Sequence, residues 1–457
     1  MAAPTGVRLA DLPHHDGSAR YVEPGPYALG DVVTVRIRVP AAFRADRVRL
    51  RSVPDAEPLM PDARLERTND AGTAWWVAEL ELRNTVTNYR FLLEGGSVGH
   101  AWLNQAGVSP FDPSDGADCR LSVHPETPAW LAETVGYQIF IDRFATSGVR
   151  HELPDWAIAS EWDDPLDLDG RRGVRQFYGG DLPGIEKHLD HLDRLGVNLI
   201  YLTPFFPAWS THRYDASSFD RVDPLLGGDA ALSSLVDAAH RRGIRVIGDI
   251  TLNHTGDHHD WFRRAQADLG GIEAGFYYFG EGPDDYVSWH DVGSLPKLDH
   301  RSEELGRRLY AGPDSVIARY LGQPFGLDGW RVDCANTTAR HGALDVNADV
   351  ARATRTTVDE DHPGAWLLAE HCFDAHADLL GDGWHGVMAY QWFTRPLWSW
   401  LRGDEAHSMM NHYDGPLLDG TTTVEAMRTL AAPVPWAARQ ASMTMVDSHD
   451  SSRLLTA

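Results

Sequence analysis

Cysteine is scarce: three in 457 residues, Cys119, Cys334 and Cys372. An odd, sparse set supplies no disulfide framework and no CxxC metal pair, so reduced thiols are expected. No stretch approaches the roughly 18 consecutive apolar residues that a membrane span needs. The opening MAAPTGVRLADLPHHDGS lacks a basic start followed by an apolar core, so no signal peptide is expected and the location is read as cytoplasmic. Positive charge is also short: 41 Lys and Arg stand against 66 Asp and Glu, a formal charge of −25. Nucleic-acid binding needs clustered cations to displace counterions, so nucleic acid is excluded as a partner, and the missing apolar span excludes the membrane. Acidity by itself describes a solvated surface and says little about a neutral ligand.

What is present suits folded domains. Hydrophobic residues make up 43% and aromatics 10%, and 457 residues exceed one simple core, which suggests two or three domains. Sixteen Trp is a high count. Most are expected as core packing, although indole and phenol faces also stack on sugar rings.

Residues 1–125 read as an all-β sandwich. DVVTVRIRVP (31–40), AWWVAELEL (74–82) and NYRFLLEGG (88–96) alternate apolar and polar residues between turns. Residues from about 106 to 135, rich in Pro and Asp, read as a linker. From 126 to 457 strand-like runs alternate with amphipathic helical spacing. VGYQIFIDRF (135–144), VNLIYLTPF (197–205) and IRVIGDI (244–250) are strands, with helices at 185–196 and 231–243 between them. Later strands are expected at 327–333, 365–370, 386–390 and 442–447.

This order implies parallel strands with covering helices. A doubly wound sheet would place a Gly-rich turn after its first strand, and none is present. Several strands end in Asp, Glu or His, as at the mouth of a TIM (β/α)8-type barrel. The fold expected is therefore α/β, with the N-terminal sandwich followed by the barrel. A His-, Asp- and Gly-rich insertion, residues 251–305, follows the third strand as a lid subdomain. The chain stops at SSRLLTA after the seventh strand, so an eight-stranded barrel is expected to be truncated there.

Four strand ends carry chemistry: Asp249 with Asn253 and His254 in DITLNH, Asp333 in GWRVD, Glu370 in LLAE, and His449 with Asp450 in SHD. Any one strand-end carboxylate is as well explained as a helix cap or a surface charge. Their joint convergence at one mouth provides paired carboxylates, which a retaining glycosidase needs as nucleophile and acid/base. Arg331 and Asp333, two apart on a strand, point to one face, and the cation keeps the carboxylate ionised and oriented. His254, His258 and His259 lack the HExxH spacing of a zinc site. Cys334 and Cys372 are expected as buried small side chains rather than nucleophiles.

Together these motifs resemble the alpha-amylase family of glycoside hydrolases from about residue 135 to 453. GWRVD is similar to the motif carrying the Arg and the nucleophile, which implies Asp333 as nucleophile with Arg331 beside it. LLAEH resembles the acid/base motif, implying Glu370. SHD resembles the motif whose residues stabilise the transition state, implying catalytic Asp450 with His449 on the substrate. DITLNH implies that His254 contacts the sugar, and HRYDASSFDRVDP places Tyr214 where the family stacks a Tyr on the same ring.

LPKLD (295–299), AEHCFDA and VDSHDSSR look most like maltodextrin glucosidases within the group that includes neopullulanases and cyclomaltodextrinases. The resemblance implies hydrolysis of α-1,4 bonds in short maltodextrins, with cyclodextrin hydrolysis or transglycosylation as alternatives. An inactive carbohydrate-binding fragment is the rival from another class. The expected partner is an oligosaccharide, with a homodimer also implied by the group.

No cofactor is expected. Many relatives bind calcium through an Asn-Gly-Asp-like loop after the first barrel strand. DRFATSGVR (142–150) lacks those ligands, although Gly180 and Asp181 fit the second half of such a site. The family's C-terminal β-domain is not found in the sequence.

Overall fold

Alternation of apolar and half-exposed residues builds the first strand, Val32–Val39 (β1), which buries Val33, Val35, Ile37 and Val39. This computed structural model describes residues 9–96, 99–167, 172–402, 416–451 and 453–454. The opening MAAPTGVR and the last three residues of SSRLLTA lie outside them. The chain forms two compact units, one of residues up to 127 together with those from 372 onward, the other of residues 128–371. The expected division at 125/126 assigned everything downstream to one barrel domain; here residues from 372 onward group with the N-terminal ones.

In the first unit β1 is followed by Arg47–Ser52 (β2), Arg64–Thr68 (β3), Ala74–Glu81 (β4), Val86–Gly95 (β5), Gly99–Asn104 (β6), Gly107–Ser109 (β7) and Cys119–Ser122 (β8). They form two antiparallel sheets, β1-β4-β3 and β2-β5-β6-β7, with β8 also paired to β5. Val35 and Ile37 of β1, Leu50 of β2, Trp75 of β4 and Phe91 and Leu93 of β5 share one apolar core. The segment expected as a linker thus contains β7 and β8. Its Pro and Asp content masks CRLS, which is ordered by antiparallel pairing with Val86–Tyr89 rather than by local propensity.

The later part of this unit carries the helices Arg395–Leu401, Gly420–Ala431 and Trp436–Gln440. Of the strands expected at 386–390 and 442–447, only Gly386–Val387 is a strand; Met388 makes a single parallel bridge to Met443.

The second unit holds a curled parallel sheet. Its strands are Gly136–Ile139 (β9), Leu199–Leu202 (β10), Arg245–Thr251 (β11), Gly329–Asp333 (β12) and Trp366–Ala369 (β13), side by side in chain order. Every residue of β10, β12 and β13 is buried, as expected for parallel strands covered on both faces.

Helices lie between the strands: Leu182–Lys187 (α1), Leu189–Leu195 (α2), Gly228–His240 (α3), Asp260–Ala267 (α4), Glu303–Leu309 (α5), Val316–Leu321 (α6) and Asn347–Asp361 (α7). Trp330 shows how strand and helix lock. Its indole N–H donates to the Ile317 carbonyl of α6 at 3.2 Å, and its ring fills the space that a Cβ on Gly248 would enter. Trp330 therefore faces the helices, and alternation turns Arg331 and Asp333 the other way. No helix among the described residues is long and apolar enough to cross a membrane.

Candidate active site

Strand register assembles the site. Asp249 of β11 lies opposite Arg331 of β12, and Val332 lies opposite Ala369, so Glu370 follows β13 at the level of Asp333. Its backbone N–H donates to the Val332 carbonyl at 2.9 Å. All these carboxylates stand at the C-terminal ends of parallel strands, where barrel chemistry collects.

Arg331 is the hub, fully buried. Its Nη1 lies 3.0 Å from Asp249 Oδ1 and 2.7 Å from Asp333 Oδ1, and its Nη2 lies 3.0 Å from Glu370 Oε1. One guanidinium thus meets three carboxylates, and full ionisation would leave a net formal charge of −2 in a dry site. Burial, and after it the charge of Glu370, push Asp333 well above the usual carboxylate range, against the pull of Arg331. The expectation that Arg331 keeps Asp333 ionised is corrected to this extent: desolvation and Glu370 outweigh it.

Asp249 is held by two phenols, Tyr201 at 2.6 Å and Tyr214 at 2.7 Å, and burial raises its pKa. The Tyr214 ring also lies under the Arg331 guanidinium, 5.7 Å from its carbon. Cys334, directly after the strand, adopts a left-handed backbone (φ +48°), and its N–H donates to Glu370 Oε2 at 2.6 Å. Burial, followed by the neighbouring carboxylates, raises the Cys334 thiol well above its ordinary pKa, so it is a proton-bearing packing group and not a nucleophile.

His254 is buried, and burial together with the charge of Lys297 lowers its pKa to about 3. It is a neutral imidazole, stacked on Trp289 with ring centroids 5.3 Å apart. Asn253 Nδ2 lies 3.0 Å from its Nδ1; its Nε2 has no well-aligned partner among the described residues, and the Tyr214 backbone lies near the ring.

The second unit therefore brings together Tyr214, His254, Arg331, Asp333 and Glu370 of the expected site residues. His449 and Asp450 belong to the other unit, where His449 Nε2 lies 3.2 Å from Asp450 Oδ1. Sequence reasoning noticed Asp249 but left it out of the site, and it missed Tyr201, whose apolar strand reads as core. It also missed Lys297, although LPKLD had been singled out. Lys297 is buried, and its ammonium donates to Asn253 Oδ1 at 2.5 Å and to the Thr337 carbonyl at 2.9 Å.

Among the described residues, one oxygen of Asp333, one of Glu370 and the Cys334 sulfur lie within 4.8 Å of one another, a grouping that could accept a metal by ligand type. The guanidinium inside the cluster and the protonated thiol do not suit a cation. A calcium site at Asp181 does not fit either. That carboxylate accepts the N–H of Gly184, as cap of α1, and both the N–H and the hydroxyl of Ser147.

Comparison with known proteins agrees with this geometry. A family model, the alpha-amylase catalytic domain, matches residues 138–457. The chain belongs to the alpha-amylase family. It is 28% identical over 406 residues to a cyclomaltodextrinase of a Bacillus species, an overlap of 84% of this chain and 65% of that one. An intracellular maltogenic amylase of Bacillus subtilis is 31% identical over 350 residues, covering 72% and 51%. This family member thus spans between about half and two thirds of those two relatives. A solved cyclomaltodextrinase superposes with a TM-score of 0.66 at 24% identity, covering 98% of this chain and 73% of that one. That likeness concerns the fold, which is the TIM-barrel type of alpha-amylase catalytic domains.

Proposed function

We propose that this alpha-amylase family chain is a retaining hydrolase of α-1,4 bonds in short malto-oligosaccharides, linear or cyclic. The observation that carries the reading is the Asp333–Glu370 pair on Arg331. One oxygen of each carboxylate lies within 4.8 Å of the other, and both carboxylates contact the same guanidinium. Double displacement with retention uses carboxyl groups about 5–5.5 Å apart, whereas inversion needs about 6.5–9.5 Å to admit a water. The relatives named cyclomaltodextrinase and maltogenic amylase support a malto-oligosaccharide substrate, and the maltodextrin glucosidase likeness of LPKLD falls within the same class.

In the first step an Asp333 oxygen bonds to the anomeric carbon while the glycosidic C–O bond breaks. Glu370 gives its proton to the departing oxygen. For this step Glu370 carries the proton and Asp333 is the ionised partner, charged beside Arg331. In the second step Glu370 takes a proton from water, the water oxygen bonds to the anomeric carbon, and Asp333 leaves, restoring the α configuration. Tyr214 and His254 bind the reacting sugar. His449 and Asp450 are assigned to transition-state stabilisation on the SHD motif alone, and residues 251–305 are assigned to the lid.

The test is a time course on maltoheptaose and on β-cyclodextrin, followed by proton NMR of the anomers, with Asp333→Asn as control. The expected result is α-anomer appearing first and no product from the control. β-Anomer first, or no turnover by a folded sample, would overturn the reading. Asp450→Asn, expected to lose at least about 100-fold in kcat, tests the SHD assignment separately.

A further inference from the structure

We propose that Lys297 is a positioning residue that locks the tautomer of His254 by way of Asn253, leaving Nε2 as a permanent donor. The argument follows from which atoms are able to donate. An ammonium has three N–H donors and no acceptor, so the amide atom of Asn253 that faces Lys297 has to be the oxygen. The amide NH2 is thereby turned toward His254 Nδ1, 3.0 Å away. A nitrogen that receives an N–H must present its lone pair, so in a neutral imidazole the proton sits on Nε2. The opposite arrangement would set the Asn253 NH2 against the ammonium, donor against donor, in a buried site.

Two further contacts make this a lock. The Lys297 ammonium is anchored on its other side by the Thr337 carbonyl, four residues beyond Asp333. The His254 ring is held by its stack on Trp289. Backbone bridging between His254 and Lys297 keeps lysine and imidazole in step. Burial, and after it the ammonium, keeps the ring neutral, which is the condition for having a tautomer to choose.

The chain from Thr337 through Lys297 and Asn253 to His254 thus ties the loop after Asp333 to the group that meets the sugar. The use of Nε2–H toward a sugar hydroxyl rests on the hydrolase reading; the lock itself does not.

The experiment uses the full chain labelled with 15N-histidine, without sugar, with His254→Gln to assign the signal. The wild type is expected to show Nδ1 as the unprotonated nitrogen and Nε2 as the protonated one. Lys297→Met should yield a mixture of tautomers and lower kcat/KM about 10- to 100-fold, the order of effect of losing a partner that orients an imidazole. Lys297→Arg, which keeps a donor-only cation, should restore the single tautomer. Should Lys297→Met fail to fold, Asn253→Asp still reports: it keeps an acceptor for Lys297 and puts an acceptor beside Nδ1, so the proton should move to Nδ1. A wild type protonated at Nδ1, or a tautomer unmoved by either variant, overturns the proposal. The expected tautomers in a folded chain that turns over no glucan would leave the lock standing and sink the hydrolase reading.

Discussion

Replacing Arg331 by Met keeps much of the side-chain volume and removes the one cation shared by Asp249, Asp333 and Glu370. At an effective dielectric near 20, each contact of 2.7–3.0 Å amounts to about 5–6 kcal/mol of gross attraction. Desolvation of the guanidinium and repulsion among the carboxylates offset most of that. Breaking a buried ion pair from one side typically costs about 3–5 kcal/mol, which for a unit of this size lowers the melting point by roughly 10 °C.

The pH dependence discriminates. Burial already raises Asp333 and Asp249, and losing the cation raises them further. A carboxyl whose folded pKa exceeds its unfolded value costs stability that appears as pH rises through the ordinary range near 4 and grows up to the folded value. The deficit of Arg331→Met against wild type should therefore be largest at pH 8 and shrink by at least half at pH 5, where the carboxyls take protons instead. Thermal melts of both proteins at the two pH values measure this. An equal deficit at both would mean that lost packing, not uncompensated charge, explains the variant, and the electrostatic account of the site would fail.

Three further outcomes are expected. Glu370→Gln should slow maltoheptaose hydrolysis by about 10²–10⁴-fold yet still be glycosylated by α-maltosyl fluoride, whose leaving group needs no proton; equal losses on both substrates would remove the acid/base role. His259 is buried, caps α4 through Trp261 N–H and has its pKa lowered from 6.5 to about 3, so it costs stability as pH falls below 6.5. His259→Asn keeps a cap without the titration, and relative to wild type it should gain on the order of 2–3 kcal/mol between pH 7.5 and pH 4.5 in urea titrations; no change would show that the ring does not stay neutral. A Cβ on Gly329 would meet the Trp366 carbonyl oxygen at 2.3 Å, so Gly329→Ala should cost about 1–3 kcal/mol and loosen Asp333 from Glu370, seen as a lower melting point together with lower kcat.

Much of this site was legible along the chain. Alternation on a strand made Arg331 and Asp333 neighbours before any fold was known, and they lie 2.7 Å apart. The buried parallel strands announced themselves as continuous apolar runs ending in acid. The sandwich was read from three strands, while RVRLRS and GHAWLN were not assigned as strands. Their arginine, histidine and glycine content hides an alternation that only cross-strand partners make visible. The 442–447 run failed in the opposite way: an apolar stretch with strand composition contributes one bridge among the described residues.

The sequence by itself determined which residue types stand at the strand ends and which pairs share a face, because side-chain direction alternates with a period of two whatever the surroundings. Inter-strand register was beyond it, and register alone sets Asp249 against Arg331 and Glu370 level with Asp333. Nor does sequence reveal burial at one point in space. Only the tertiary structure withdrew water from three carboxylates around one guanidinium, and desolvation is what pushes Asp333 well above the usual carboxylate range. The same holds for Lys297, 44 residues from Asn253 in the chain, which became its hydrogen-bond partner only when folding removed the solvent between them.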